Sequence, residues 1–123
     1  TGCKVTVIAG FRHEAYAVSE FPLYGAVVMV ATEDGCQGRT GLCTDIFDPA
    51  MFDTVFTCGP MPMMAHVAQM CADADVPCQA SLEAHMACGV GACLVCSCPT
   101  VHGNKRVCAD GPVFDTQEVI WHA

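Results

Sequence analysis

Four cysteines, Cys88, Cys93, Cys96 and Cys98, fall within eleven positions of ACGVGACLVCSCPT (87–100), and a fifth, Cys108, follows in KRVCADGP. Thiolates are soft metal ligands, and this density points to metal chemistry. Cys88, Cys93, Cys96 and Cys108 give the pattern C-x4-C-x2-C-x11-C. The first three match the spacing of plant-type 2Fe–2S loops. A 2Fe–2S cluster takes two thiolates on each iron. A loop that wraps it must turn tightly and aim backbone N–H groups at sulfur. Gly89 and Gly91 permit positive φ and close backbone approach, and Ala87 and Ala92 are too small to block it. The fourth ligand arrives from a separate segment and closes the cage.

Zinc is the competing metal. Structural zinc sites pair C-x2-C knuckles, and here only Cys93 and Cys96 make one, with Cys108 lacking a close partner. Iron–sulfur is therefore the reading preferred over zinc, and both over unligated core cysteines. Cys98 is a surplus thiol, expected to pack near the cluster as a buried free cysteine. Cys3, Cys36, Cys43, Cys71 and Cys78 read as small core hydrophobes. His85 lies three residues before Cys88, the place of a Rieske-type ligand; that site needs two histidines, and four cysteines already suffice. His13, His66, His102 and His122 read as surface residues. No nucleophile–base pair and no paired-carboxylate arrangement is evident, so no catalytic residue is assigned.

These thiols need a scaffold. CKVTVIAGF (3–11), AVVMVAT (26–32) and DTVFTCG (53–59) read as buried parallel strands, and CQASLE (78–83) as a weaker fourth. HEAYAVSEF (13–21) and TGLCTDIFD (40–48) are short helix candidates. In PMPMMAHVAQMCADADVP, Met63, Val67, Met70, Cys71 and Ala74 recur along one helical face, with Pro62 in the first turn and Pro77 beyond the end. Strands alternating with helices indicate an α/β fold with a parallel sheet. From Met86 to Asp110 the periodicity stops, and VFDTQEVIW (113–121) forms a short apolar tail. Two parts are expected: an α/β domain over 1–83 and a cysteine-built lobe over 84–123.

The chain has 123 residues, 53% of them hydrophobic, and a formal charge of −8. The acidic balance argues against nucleic acid and anionic membranes as partners, since both select basic surfaces. No apolar run approaches the roughly twenty residues of a membrane span. No signal-peptide pattern is seen, the cysteine number is odd, and the apolar runs can build a core without staples. A soluble protein of a reducing, cytoplasmic compartment is expected.

SLEAHMACGVGACLVCSCPT, followed by KRVCADGPVFDTQEVIW, resembles the C-terminal part of the electron-transfer subunits of B-type dihydroorotate dehydrogenases, in the ferredoxin–NADP reductase-like superfamily. Ligand spacing, glycines and the C-x-D-G-P-V-F segment all agree. TCGPMPMM (57–64) resembles the superfamily's CGP segment beside the nicotinamide. VIAGFR (7–12) and ATEDG (31–35) resemble its second and third nucleotide-domain strands. The resemblance covers essentially all of this chain and about the second half of the family's.

The resemblance implies a partial parallel nucleotide-binding sheet over 1–83, followed by a 2Fe–2S lobe. The family's flavin-binding β-barrel, first nucleotide-domain strand and glycine-rich loop have no counterpart in these 123 residues. The FAD and NAD sites are therefore expected to be absent or incomplete in them. In the family fold the first strand lies mid-sheet, so a second chain or a further segment is expected to complete the sheet. By resemblance, Cys88, Cys93, Cys96 and Cys108 hold the cluster. Cys58, Gly59 and Pro60 border the nicotinamide, and Glu33 and Asp34 border the adenosine ribose. Core packing for Cys58 and an ordinary exposed turn for Glu33, Asp34 and Gly35 are the plainer readings.

The resemblance further implies electron transfer in pyrimidine biosynthesis, between a nicotinamide/FAD site and a flavin on a catalytic partner subunit. An isolated chain of this kind would not itself be a catalyst. A zinc-stabilised interaction module and a cluster-based redox sensor are the alternative classes.

Overall fold

The computed structural model describes residues 2–121; His122, read above as a surface histidine, lies outside them. Contacts divide the chain into two compact units, Thr1–Phe47 and Asp48–Ala123.

In the first unit, β1 (Thr6–Phe11) pairs in parallel with β2 (Val27–Thr32), from Thr6 opposite Val27 to Phe11 opposite Thr32. Both strands are rich in β-branched residues, which suit a pleated surface. A two-residue strand, β3 (Arg39–Thr40), pairs in parallel with the end of β2. The helix expected over 13–21 is instead a 3₁₀ helix at Val18–Tyr24. Pro22 lies inside it, where the missing N–H and the ring prevent regular α-helical bonding. Gly25, at φ 80°, ends it by donating to the Pro22 carbonyl.

The helix expected over 40–48 is also absent. Its place is taken by β3 and a 3₁₀ turn at Cys43–Asp45, and a further 3₁₀ turn follows at Pro49–Met51. The Asp45 carboxylate accepts the Leu42 N–H at 2.8 Å, and Asp48 accepts the Ala50 N–H at 3.0 Å. Side-chain bonds of this kind satisfy the backbone locally and outcompete a short helix, whose nucleation is costly. Pro49 opens a turn rather than closing a helix.

The second unit is a β-α-β arrangement with additions. β4 (Val55–Cys58) pairs in parallel with β5 (Cys78–Ser81), and α1 (Met61–Asp73) connects them. Along β4, Val55 and Thr57 are buried while Phe56 and Cys58 are exposed, the period-two pattern of a half-covered strand. Pro60 caps α1, Pro62 lies in its first turn, and Pro77 falls beyond its end. The buried face is Met64, Val67, Ala68 and Cys71. Relative to expectation, Ala74 is exposed and Met64 is the innermost methionine.

Four further elements are not legible in the sequence as such. β6 (Ser97–Thr100) and β7 (Gly103–Arg106) form an antiparallel hairpin in the stretch read as aperiodic. A single turn of helix, α2 (Val107–Asp110), follows. β8 (Val113–Asp115) runs antiparallel to β5, so this sheet is mixed rather than parallel. The fold is thus mixed α/β, with one parallel sheet, one mixed sheet and a hairpin.

One core unites the second unit: Met64, Ala80, Leu82, Cys96, Val107, Phe114 and Val119. Met64 comes from α1, Ala80 from β5, and Cys96 and Val107 from the cysteine-rich segment. The division expected at 83/84 therefore runs through a shared core, whereas the contacts divide the chain at 47/48.

Candidate metal centre

None of the eleven cysteines is in a disulfide. Four of them stand as two pairs. The first pair is Cys88 and Cys93, in the glycine-rich loop. The Cys88 sulfur accepts backbone N–H groups from Val90 at 3.4 Å, Ala92 at 3.3 Å and Cys93 at 3.4 Å. These donors, with the Cys93 thiol, pull the Cys88 pKa down to about 6. Hydrogen bonding to the charged form favours it, so Cys88 is poised as a thiolate at neutral pH.

Such convergence of donors requires a chain that reverses sharply. Gly89 and Gly91 supply it at φ 68° and φ 80°. At Gly91 a side chain is excluded on space as well: a Cβ would lie 2.9 Å from the Ala109 Cβ and 3.1 Å from the Arg106 Nη1. Leu94, between Cys93 and Cys96, also has positive φ, at 62°. A left-handed leucine costs on the order of 1 kcal/mol and marks a turn the surroundings enforce.

The second pair is Cys96 and Cys108. Cys96 is 2% exposed and belongs to the core. Its sulfur accepts the Cys108 N–H at 3.5 Å. That bond and the Cys108 thiol lower its pKa, while Cys108, hydrogen-bonded to Cys96, is raised. The Gly91 N–H also serves Cys108, which feels the charge of Cys88 as well. The fourth thiol is thus tied to the loop that carries the first.

Among the described residues, no three His, Cys, Asp or Glu side chains already converge in a metal-ligand arrangement. What the fold provides is two cysteine pairs with inward-aimed N–H groups and a depressed thiol pKa. Two thiolates on each of two irons is the demand of a 2Fe–2S cluster. The donor set fits that group. It fits a lone zinc less well, since a single tetrahedral ion takes four equivalent ligands at one centre.

Cys98 lies outside both pairs. It sits on β6 opposite Lys105, packs against the core cluster, and burial raises its pKa. Cys71 and Cys78 are buried side by side, and desolvation pushes Cys71 up to about 12. Cys3 and Cys36 are exposed, which corrects their reading as core residues. His85 is exposed.

The residues assigned to the nucleotide by resemblance fall in separate units. Cys58 is exposed at the end of β4, Gly59 has φ 151°, and Pro60 caps α1. Glu33 and Asp34 are exposed in the turn after β2. Asp34 bonds the His13 Nδ1 at 2.8 Å and accepts the Cys36 N–H at 3.0 Å, which together hold its pKa at about 2.

Sequence reasoning misses one feature, the bracing of the loop by Arg106. Its Nε and Nη2 reach Asp110 at 2.9 and 3.1 Å, and its Nη1 donates to the Gly91 carbonyl at 3.2 Å. The only available signal was the placement of an arginine and an aspartate four residues apart around Cys108. Val90, 76% exposed, and Leu94, 62% exposed, lie at the surface of the loop.

Residues 83–120 match the family described as the iron–sulfur cluster binding domain of dihydroorotate dehydrogenase B. The electron transfer subunit of dihydroorotate dehydrogenase B (NAD(+)) from Clostridium perfringens is 48% identical over 116 residues, 94% of this chain and 47% of that protein. The subunit from Clostridium acetobutylicum is 44% identical over 118 residues, 96% of this chain and 48% of its own length. In structure, the NADH-dependent reduced ferredoxin-NADP oxidoreductase superposes with a TM-score of 0.84 at 31% identity, over 98% of this chain and 45% of that one. The chain spans about half the length of the curated relatives it matches. It is thus similar, over nearly all of its own length, to the electron transfer subunits of dihydroorotate dehydrogenase B, and its cysteine-rich segment matches their iron–sulfur cluster binding domain.

Proposed function

We propose that this chain holds a 2Fe–2S cluster on Cys88, Cys93, Cys96 and Cys108 and serves as part of an electron-transfer subunit of a dihydroorotate dehydrogenase-type complex. The observation that carries this is the pairing of the four thiols, with backbone N–H groups aimed at the Cys88 and Cys96 sulfurs, within the segment that matches a cluster-binding domain. When bound, the cluster supplies one-electron storage at low potential. The protein's part is position and tuning. Cys88, Cys93, Cys96 and Cys108 would hold it, and Gly89 and Gly91 let the loop close over them.

Residues 84–123 act as the cluster-binding lobe, and residues 1–83 as part of a nicotinamide-binding domain. Cys58, Gly59 and Pro60 then border the nicotinamide, and Glu33 and Asp34 the adenosine ribose. The donors and acceptors of the electrons are an FAD/NAD site to which this chain contributes only part, and a flavin on a catalytic partner subunit. A further chain or segment completes the nucleotide-binding sheet. Residues 89–95 form the docking face. The exposure of Val90 and Leu94 supports this, since an apolar patch with a polar rim suits a partner surface. No helix among the described residues is long and apolar enough to cross a membrane.

Anaerobic reconstitution of the full protein, followed by turnover with its flavin-containing partner, tests the proposal. Dihydroorotate-dependent reduction of the visible bands supports it. A colourless protein carrying one zinc would favour an interaction module. A cluster that no flavin partner reduces would favour a redox sensor.

A further inference from the structure

The second thiol pair is followed by a charged side-chain arrangement that cluster binding does not by itself require. Arg106 ends β7, and Asp110 ends α2, the single turn that carries Cys108. The Asp110 carboxylate accepts three donors from Arg106: the backbone N–H at 2.8 Å, Nε at 2.9 Å and Nη2 at 3.1 Å. The remaining arm, Nη1, crosses to the Gly91 carbonyl, fifteen residues earlier in the ligand loop. Gly91 has no side chain to hold that arm off.

An i,i+4 ion pair on a surface contributes little, and this one is partly exposed, so it is not explained as a stability device. Two features set it apart. One guanidinium bridges the loop of Cys88 and Cys93 to the turn of Cys108. It is also one of five cationic side chains in a chain of charge −8, placed two residues before Cys108 and bonded to the Gly91 carbonyl within the ligand loop.

We infer that Arg106 and Asp110 form a clasp that registers the two halves of the cluster site and sets its reduction potential through a pair of opposed charges. Arg106 is here a positioning residue. Its fork geometry joins two segments, which a lysine ammonium cannot match. Its charge favours the more negative, reduced form of the site, and the Asp110 carboxylate opposes that. Net charge and hydrogen bonding around the sulfurs are the known levers on such potentials. The inference rests on the proposed cluster site.

The test uses the full protein, reconstituted anaerobically with iron and sulfide, as wild type, Arg106→Gln, Arg106→Lys and Asp110→Asn. Redox titration reads the midpoint, and bleaching under a chelator reads retention. Arg106→Gln lowers the midpoint, Asp110→Asn raises it, and Arg106→Lys leaves it near wild type. Both arginine variants lose the cluster faster, by roughly tenfold, as outer-sphere partners of metal sites commonly do. A purely structural role would not move the midpoint in opposite directions. Shifts of the same sign in Arg106→Gln and Asp110→Asn, or none, overturn the electrostatic part. Retention by Arg106→Lys equal to wild type overturns the clasp. If Arg106→Gln takes up no cluster, the Asp110→Asn and Arg106→Lys midpoints still decide. A wild type that takes up no cluster overturns the proposed function itself, and is distinguishable from every other outcome.

Discussion

The two units make different use of their apolar residues. In Asp48–Ala123, a helix, two strands of the mixed sheet and the cysteine-rich segment close on one core, and Cys96 is part of it. Among the described residues of Thr1–Phe47, only Ala31 and Thr32 are fully buried, while Tyr16, Leu23, Tyr24 and Val27 are largely exposed. A sheet normally buries at least one face against a second layer. The second unit therefore has the rigidity that a ligand set demands. In the first, most apolar residues of β1 and β2 are only half-buried.

The sharpest way to break this contrast is at the ligands. Replacing Cys88, Cys93, Cys96 or Cys108 with Ser should abolish the cluster almost completely, read by iron content and visible absorption, because a hydroxyl is a poor ligand at neutral pH. Cys98→Ser should leave both nearly intact. Bleaching on loss of Cys98 but not of Cys108 would reverse the ligand assignment.

Next in size is the core. Phe114→Ala, at a site 6% exposed, should cost about 3–5 kcal/mol in denaturant unfolding and loosen the cluster with it. Leu23→Ala, at a site 81% exposed, should stay within about 0.5 kcal/mol. Similar losses at the two positions would erase the distinction between the units.

The docking face is the third. Val90→Asp or Leu94→Asp should lower partner-dependent turnover about tenfold, the scale of one interface anchor, while cluster content stays constant. Loss of the cluster instead would make these side chains shields.

The smallest effect is one of pH. Cys88 titrates at about 6 against an ordinary 9.0. Its folded-state pKa is depressed, so its stabilising contribution is full above pH 9 and fades as pH falls from 9 toward 6. In the metal-free protein, iodoacetamide should modify Cys88 with a midpoint near pH 6. Cys98, raised by burial, should react only under more alkaline conditions. Equal profiles for the two would mean that the N–H groups do not act on Cys88.

Much of this was legible beforehand, for identifiable reasons. The ligand spacing and Gly89 and Gly91 could be read directly, because a tight loop around sulfur leaves few residue choices. β1, β2, β4, β5 and α1 announced themselves by apolar runs and by prolines at helix boundaries. The hairpin β6–β7 did not, since SCPT and GNKR carry no alternation and their pairing is set by the turn at Thr100–Gly103, where the Thr100 hydroxyl donates to the Gly103 carbonyl at 2.6 Å. Nor did the antiparallel direction of β8, which depends on where the chain returns after α2. The 3₁₀ segments at Val18–Tyr24 and Cys43–Asp45 read as helices because neither Pro22 inside the first nor the Asp45 bond to the Leu42 N–H in the second leaves a periodic trace. The loop-bracing role of Arg106 is not legible because the Gly91 carbonyl it bonds is a backbone atom.

The most direct test is electron paramagnetic resonance of the dithionite-reduced, reconstituted protein, with iron and sulfide quantified on the same sample. A four-cysteine 2Fe–2S site predicts two irons and two sulfides per chain and a low-temperature signal from the one-electron-reduced cluster. That signal should be lost in Cys108→Ser and kept in Cys98→Ser. A protein that binds one zinc, lacks sulfide and stays silent on reduction would contradict it.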